Sequence, residues 1–583
     1  SAAVAHQVRV TLMNRMINEQ ELHSDRAPGV GKWLRGGDPL IWLNGAAVSV
    51  SVIAVVGLLL LLAVRGLSHF WPADVLAVSV SYQGQTRELL GEVVEQVEVP
   101  GAQLREAGFE LQGPGPFYQR TLMKQGNRDF LGTDFTWLID EQFGPRRYPL
   151  DVLVVERLEW GNFYGYLRAV SRFGEDPVTV AEHGEAATLE AMQALIVDTV
   201  AVRDEIHEIE QGEIGAINYE LERLRLRERG LELEGRLDAA AQADLASKRA
   251  EQEASFRALQ EQLYTLYDSI KDHSYSAELA DGRVVTLPIA KVVRAYQPNA
   301  MNVFAKMAMY VERLWEFLSE PPREANTEGG VFPAMFGTVL MVILMSIIVT
   351  PFGVVAAVYL REYASQGFVT RTIRVAVNNL AGVPSIVYGV FGLGFFVYFV
   401  GGELDQLFFP ASLPRPTFGT PGLMWASLTL ALLTLPVVIV ATEEGLARIP
   451  STVREGSLAL GATRAETLWR VVLPMASPAM MTGLILAVAR AAGEVAPLML
   501  VGVVKLAPTL PLDGNYPYLH LDQKFMHLGF HIYDVGFQSP NVEAARPLVY
   551  ATALLLVLII ALLNLAAVSL RNRLRERYKS LEH

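Results

Sequence analysis

Cysteine is absent from all 583 residues, which excludes disulfides and thiolate metal sites without assigning a compartment. An excess of positive charge is absent too: 49 Lys and Arg face 62 Asp and Glu, a formal net charge of −13. Nucleic acid is therefore not an expected partner, because its phosphates are held by clustered cations. No G-x-x-x-x-G-K-[ST] loop occurs; the nearest string, PGVGKW from Pro28 to Trp33, lacks the first glycine and the hydroxyl residue that would meet magnesium. No catalytic constellation, cofactor motif or metal-ligand set is legible. No secretory leader is expected either, since the first apolar run begins at Pro39 and is too long for an h-region.

Apolar sequence is what the chain has in quantity. Hydrophobic residues make up 51%, yet 19% are charged, too many for a protein lying wholly in lipid. A membrane part and an aqueous part are expected together. About 20 apolar residues of helix cross the hydrocarbon core. Five runs free of Asp, Glu, Lys and Arg reach that length: Pro39 to Val64, Gly329 to Leu360, Val375 to Gly402, Pro416 to Thr442 and Pro547 to Leu570. A sixth, Met475 to Val504, is interrupted only by Arg490 and Glu494. Six transmembrane helices are expected, the first at 39–65.

Orientation follows from the Lys and Arg of short loops, which stay in the cytoplasm. Arg361, Arg371 and Arg374 lie between spans two and three, Arg448, Arg454, Arg464 and Arg470 between spans four and five, and the tail RNRLRERYK begins at Arg571. The N-terminal segment 1–38 and the tail 571–583 are thus both expected in the cytoplasm, and the long stretch 66–328 in the periplasm.

That outer stretch changes rhythm along its length. Over about 74–175 apolar and polar residues alternate, as in DVLAVSVSY (Asp74 to Tyr82) and DVLVVERLEW (Asp151 to Trp160), which reads as strands of a mixed domain. Over about 180–272 the spacing is helical: Phe256, Leu259, Leu263, Leu266 and Ile270 run 3-4-3-4, and Leu189, Met192, Ile196, Ile206, Ile209, Ile217, Leu221 and Leu224 follow more loosely. Two long helices folding back near Gly230 to Gly235 would bury these stripes on each other as a coiled-coil stalk or interaction arm. Ala280, Asp281 and Gly282 then turn into a short strand. Met301 to Leu318 is amphipathic, with Phe304, Met307, Val311, Leu314 and Phe317 on one side, suited to the membrane surface or the underside of the domain.

Within 443–475 the chain reads EEGLARIPSTVREGSLALGATRAETLWRVVLP, ending at Pro474. Ser457, Leu458 and Leu460 can start a short helix that Gly461 stops with a left-handed turn, after which Leu468, Val471 and Val472 carry an apolar face into span five. Such a helix-turn-helix presents a knob. Its spacing, Glu455, Gly461 six residues on, nine residues, then Val471, Val472, Leu473 and Pro474, is similar to the E-A-A loop of ABC importer permeases, with Gly456 and Ser457 in place of the alanines and Val471 in place of isoleucine. Gly329 to Ala364, Asn378 to Gly394 and Leu486 to Leu500 resemble spans of the PstA family of phosphate importer permeases.

The resemblance covers about 329–570 and implies a type I ABC importer permease core there. The expected fold class is an all-α polytopic membrane protein with six transmembrane helices, plus a periplasmic α+β domain with a long helical hairpin that the family pattern does not include. It also implies a bacterial inner-membrane location and a complex: an ATP-binding subunit in two copies, a second, PstC-like permease and a periplasmic phosphate-binding protein. ATP hydrolysis falls to the partner. Glu455, Gly461, Ala462, Leu473 and Pro474 are then the coupling-loop residues that meet the ATPase.

Arg490 is expected near the middle of span five, where a bare charge costs about 2.5–3.5 kcal/mol on insertion scales. Glu494, four residues on, can neutralise it within one helix. Alternatively the pair borders a water-filled path, Arg490 offering its donor fork to phosphate and Glu494 moderating it. Pro384 is expected to interrupt span three and free the Leu380 carbonyl, with Gly382, Ser385 and Gly389 allowing close helix approach and Asn378 and Asn379 as caps. His520, His527 and His531 before span six suit packing or docking better than a metal. Two other readings stand beside phosphate import: a permease for sulfate or molybdate, and a scaffold or phosphate-sensing component that acts through its arm.

Overall fold

The computed structural model describes residues 38–82, 85–106, 115–539 and 542–578. The PGVGKW string and the segment 1–37 lie outside them, as does the end of the basic tail. Among the described residues six helices are long and apolar enough to cross a membrane: Leu40–Phe70, Phe332–Tyr363, Ser385–Phe408, Leu423–Ala447, Arg464–Ala491 and Ala545–Arg573. The first runs over Asp38–Leu67, and its side chains are exposed along most of its length.

Among the other five, span four is the hub, the most deeply buried of them, and span six the least. Met341, Met345 and Val349 of span two, Ala426, Leu430 and Val438 of span four, and Ala487, Val488 and Ala491 of span five form one core. Small residues let the backbones close in: Gly353 faces Val438, Gly445 faces Ala479 and Gly483 faces Ala441. Spans two, three and five therefore keep broad apolar faces outside the bundle.

Span three is shorter than the uncharged run that signals it. Residues Phe368–Leu380 form a separate amphipathic helix, the chain breaks at 381–384, and the spanning helix begins at Ser385. Pro384 caps that helix instead of interrupting it, because proline disfavours helical backbone in the residue before it yet fits a helix start. The Leu380 carbonyl left over by the break accepts the Tyr388 hydroxyl at 2.6 Å. Asn378 and Asn379 close the amphipathic helix, exposed.

Among the described residues between spans one and two there are two larger antiparallel sheets and a two-stranded antiparallel ribbon, Pro322–Arg323 with Glu328–Gly329. The first runs β1 (Val75–Tyr82), β2 (Gln85–Pro100), β3 (Phe117–Lys124) and β4 (Phe135–Ile139), in that order. The second comprises β5 (Val152–Arg157), β6 (Phe163–Ser171), β7 (Val178–Thr179), β8 (Ser274–Glu278), β9 (Val284–Pro288) and β10 (Val292–Tyr296), ordered β10-β5-β6-β8-β9 with β7 on β6. Strands are thus not confined to 74–175: the helical arm is an insertion between β7 and β8, and the sheet is completed after it.

The arm ascends through helices Glu185–His207 and Ile214–Leu233, joined by a π-helical turn, and descends through Ala239–Lys271. Helix persists through Gly230, and the fold-back falls at 234–238, with Gly235 at φ 67° and the Asp238 carboxylate accepting the Ala241 N–H at 2.7 Å. Met192, Leu195 and Ile196 are sealed onto β5, β6 and β8. Further along, Ile206, Ile209, Leu263 and Ile270 form the seam. The middle of the ascending helix leans on two permease loops: it packs along Pro410–Ser412, the Tyr219 hydroxyl donates to the Tyr516 carbonyl, and its ring meets His520 edge-on at 5.8 Å.

The amphipathic segment forms a helix, Val303–Ser319, whose apolar residues divide between two directions. Phe317 and Leu314 pack with Phe70, Val331 and Leu548 at the ends of the spans, while Phe304, Met307, Val311 and Trp315 stay exposed. Arg313 of this helix and Arg294 of β10 grip Glu156 of β5. Burial raises the Glu156 pKa, but the two guanidiniums outweigh it and hold the carboxyl below its ordinary value.

Candidate coupling and substrate-path site

The knob between spans four and five is built by short-range chemistry. A helix runs Ser451–Ala459, beginning six residues before Ser457 because Pro450 fits the capping position. Gly461, at φ 88°, ends it in the left-handed region that glycine enters without a Cβ penalty. Thr463 and Glu466 then form a capping box for the next helix: the Glu466 N–H donates to Thr463 Oγ1 at 3.2 Å and the Thr463 N–H donates to Glu466 Oε2 at 2.9 Å. A π-helical turn, Leu468–Val472, leads directly into Leu473–Ala491, so the knob and span five are one continuous rod.

Its two faces differ. Leu468 and Val472 are buried with Val358, Leu446 and Ile449 at the ends of spans two and four. The tip is apolar and open, with Leu460 91% and Leu458 43% exposed; Trp469, in the π-helical turn below it, is 72% exposed. Glu455, Gly461 and the capping residues surround that tip, Ala462 is half-buried, and Leu473 and Pro474 lie half-buried where the rod enters the bundle. Exposed apolar side chains on a short rigid protrusion mark a contact surface for another protein.

Arg490 and Glu494 stand elsewhere than their spacing suggested. Arg490 occupies the last turn of the span-five helix, which ends at Ala491, and Glu494 lies beyond the helix. The Gly493 N–H donates to the Arg490 carbonyl and the Glu494 N–H to the Ala491 carbonyl, each at 3.2 Å, a tightening turn ahead of Pro497 that ends the α-helical ladder. The two side chains still meet, Arg490 Nε to Glu494 Oε1 at 3.4 Å, with 32% and 20% of their side chains exposed. A short helix, Leu498–Val501, re-enters the core, with Pro497 against Gly389 and Val501 against Gly392 of span three. Next to Gly389, the Tyr388 hydroxyl locks the 381–384 break through its bond to the Leu380 carbonyl. Arg490 thus sits at an interruption of helix, a setting that in membrane proteins is tolerated where backbone is buried in protein or lines a water-filled passage.

The three histidines go to packing. His520 bonds Asp513 at 2.7 Å, His527 Nδ1 accepts the Gly529 N–H at 3.1 Å, and His531 is buried beside the Lys505–Asp534 pair at 3.0 Å. Among the described residues no group of three or more His, Asp or Glu could hold a metal ion. The sequence marks Arg374 and Arg454 as signals of orientation only; the structure pairs them with Glu443 and Glu362, which no motif singles out. Their only sequence signal is charge beside the ends of apolar runs.

The family described as binding-protein-dependent transport system inner membrane component matches residues 349–579. Phosphate transport system permease protein PstA 1 of Mycobacterium tuberculosis is 35% identical over 247 residues, 42% of this chain and 71% of that protein. The PstA of Mycobacterium leprae is 36% identical over 245 residues, covering 42% and 71%. The probable PstA of Methanocaldococcus jannaschii is 30% identical over 240 residues, covering 40% and 74%. With a bundle of apolar helices and relatives of this closeness, the chain is a multi-pass membrane protein that belongs to the PstA branch of the binding-protein-dependent ABC importer permeases.

Proposed function

We propose that this chain is the permease subunit of an ATP-driven inorganic phosphate importer. A second, PstC-like permease covers the open faces of its spans, two copies of an ATPase subunit drive it, and a soluble phosphate-binding protein delivers the anion. The observation that carries the reading is the knob: a rigid rod running from span five, past the exposed Trp469, to an apolar tip at Leu460, held out by Gly461 at φ 88°. A nucleotide-driven closure of the ATPase around that tip would tilt span five, and with it Arg490.

Phosphate as the cargo is supported by the relatives, each named as a phosphate permease. The partly open guanidinium of Arg490 supports it chemically, since its planar fork matches phosphate oxygens. Glu494 limits how long the anion stays. In this reading the basic loops and both termini are cytoplasmic, and the inter-span domain is periplasmic.

The test is uptake by the reconstituted complex. Phosphate should stimulate ATP hydrolysis in the presence of the binding protein, and sulfate and molybdate should not. Stimulation by sulfate or molybdate alone would replace phosphate with that anion; a chain that copurifies with no ATPase would defeat the importer reading altogether.

A further inference from the structure

The coupling helix Ser451–Ala459 has no fully buried residue; half-buried Val453 is its one side chain on the apolar cluster of Val358, Leu446 and Ile449, so polar contacts carry much of its hold on the spans. Between it and the end of span two lies a cavity of about 150 Å³, lined by Glu362, Arg454, Leu458, Arg464, Thr467 and Leu468 among others. Across that gap Arg454 makes the connection. Its Nη2 donates to Glu362 Oε1 at 2.8 Å and to the Leu446 carbonyl at 2.9 Å, and its Nη1 donates to the Ile449 carbonyl at 2.7 Å. Leu446 and Ile449 belong to the last turn and exit of span four, where the i,i+4 helical partners run out. Glu362 lies in the π-helical turn, Tyr359–Tyr363, that ends span two.

A second pair grips span four one turn earlier. Arg374, on the amphipathic helix that leads into span three, reaches Glu443 of span four at 2.5 Å, with side chains 34% and 16% exposed. The two arginines thus join the coupling helix, span two, the leader of span three and span four in one chain of charge-assisted contacts. Apolar surfaces slide past one another at small cost, whereas such hydrogen bonds hold one register.

Resting on the coupling-loop reading above, we propose that Arg454 and Arg374 are positioning residues for transport: they pass displacement of the knob onto spans two, three and four, so that the bundle moves together with span five.

The complex, purified with its ATPase and second permease and placed in vesicles, tests this through phosphate transported per ATP hydrolysed. Arg374→Glu and Glu443→Arg should each lower that ratio by about tenfold, within the range that coupled networks carry. The charge-swapped double variant should recover most of it. At the other contact Glu362→Gln is the cleaner change, because it leaves the carbonyl bonds of Arg454 in place; the same ratio should fall, with ATPase copurification unchanged. An unaltered ratio in Glu362→Gln, or a double swap as defective as the worse single, overturns the proposal. If the charge reversals prevent accumulation, Glu443→Gln supplies the same reading, a lowered ratio supporting it and an unaltered one overturning it. Gly461→Trp separates the two levels: normal transport in that variant sinks the coupling-loop reading itself, whereas its loss beside a normal Glu362→Gln sinks this inference alone.

Discussion

The molecule carries two helical protrusions, and they are opposites. Each folds back at a glycine of positive φ, 88° at Gly461 and 67° at Gly235, with open space around the missing Cβ. The short one shows apolar residues at its tip and hides its shaft among the spans. The long arm hides an apolar seam and surrounds its tip with charge, Arg229 paired with Glu232 and Arg236 with Glu234. Apolar tips await a protein groove, whereas charged tips are content in water. In the proposed reading the knob acts at its end, whereas the arm touches the permease loops along its shaft, at Tyr219.

The sharpest way to break that contrast is to put the same residue at both turns. A side chain at positive φ costs about 1–2 kcal/mol at either site. Gly461→Trp should also obstruct docking of the tip and lower phosphate uptake by about a hundredfold, equivalent to about 2.7 kcal/mol. Gly235→Trp should leave uptake within about twofold of the parent, because surface changes away from packed features cost little. Equal losses at both turns would erase the distinction.

The next test concerns what anchors the arm's own domain. Glu156→Gln leaves Arg313 and Arg294 with one carboxylate fewer in a largely buried cluster, a loss of about 3 kcal/mol. Thermal unfolding should show the inter-span domain melting earlier while the permease core holds. The depressed carboxyl pKa fixes the pH sign: its stabilisation is present above the ordinary carboxylate value and is lost as pH falls through the lower folded value.

The loop before span six should respond sooner to acid. Burial pushes His527 and His531 down to about 4; for His531 the nearby Asp534 opposes this and Lys505 adds to it. The unfolded chain takes up protons near pH 6.5 and the folded one resists until about 4, so stability is full above that window and falls across it, by about 3 kcal/mol per histidine at most. His531→Phe should flatten the fall between pH 6.5 and 4. An unchanged pH profile would show that the buried ring is not what acid attacks.

How much of this was readable beforehand follows from the range of the forces. The knob is local chemistry, so its spacing and its glycine stood in the chain itself. The seam of the arm was visible in the 3-4 spacing of Leu259, Leu263, Leu266 and Ile270. Arg490 was misplaced because an uncharged run does not mark where a helix ends; Gly493 and Pro497 end it, and sequence spacing alone treats Glu494 as helical. For Arg454 and Arg374 the sequence shows only a loop charge, because their partners Glu362 and Glu443 lie 92 and 69 positions away. The same holds for Tyr219, whose contact with Tyr516 spans 297 positions.

That last contact gives the smallest expected effect and the most specific one. Deleting 180–272 would strip Met192, Leu195 and Ile196 from the β5–β6–β8 core and unfold the domain, so a loss of uptake would say nothing about the arm. Removing 211–266 and joining Glu210 to Tyr267, which bond each other at 2.8 Å, keeps that base and takes away only the shaft. Tyr219→Phe is finer still, deleting one exposed hydroxyl bond worth about 1 kcal/mol. Both changes should leave basal ATP hydrolysis alone, because the knob is untouched. If the shaft steadies the loops at Pro410–Ser412 and Tyr516, stimulation by the binding protein should fall, by about fivefold for the single hydroxyl and further for the shortened arm. Equal stimulation in all three proteins would return the arm to the role of a solvated stalk.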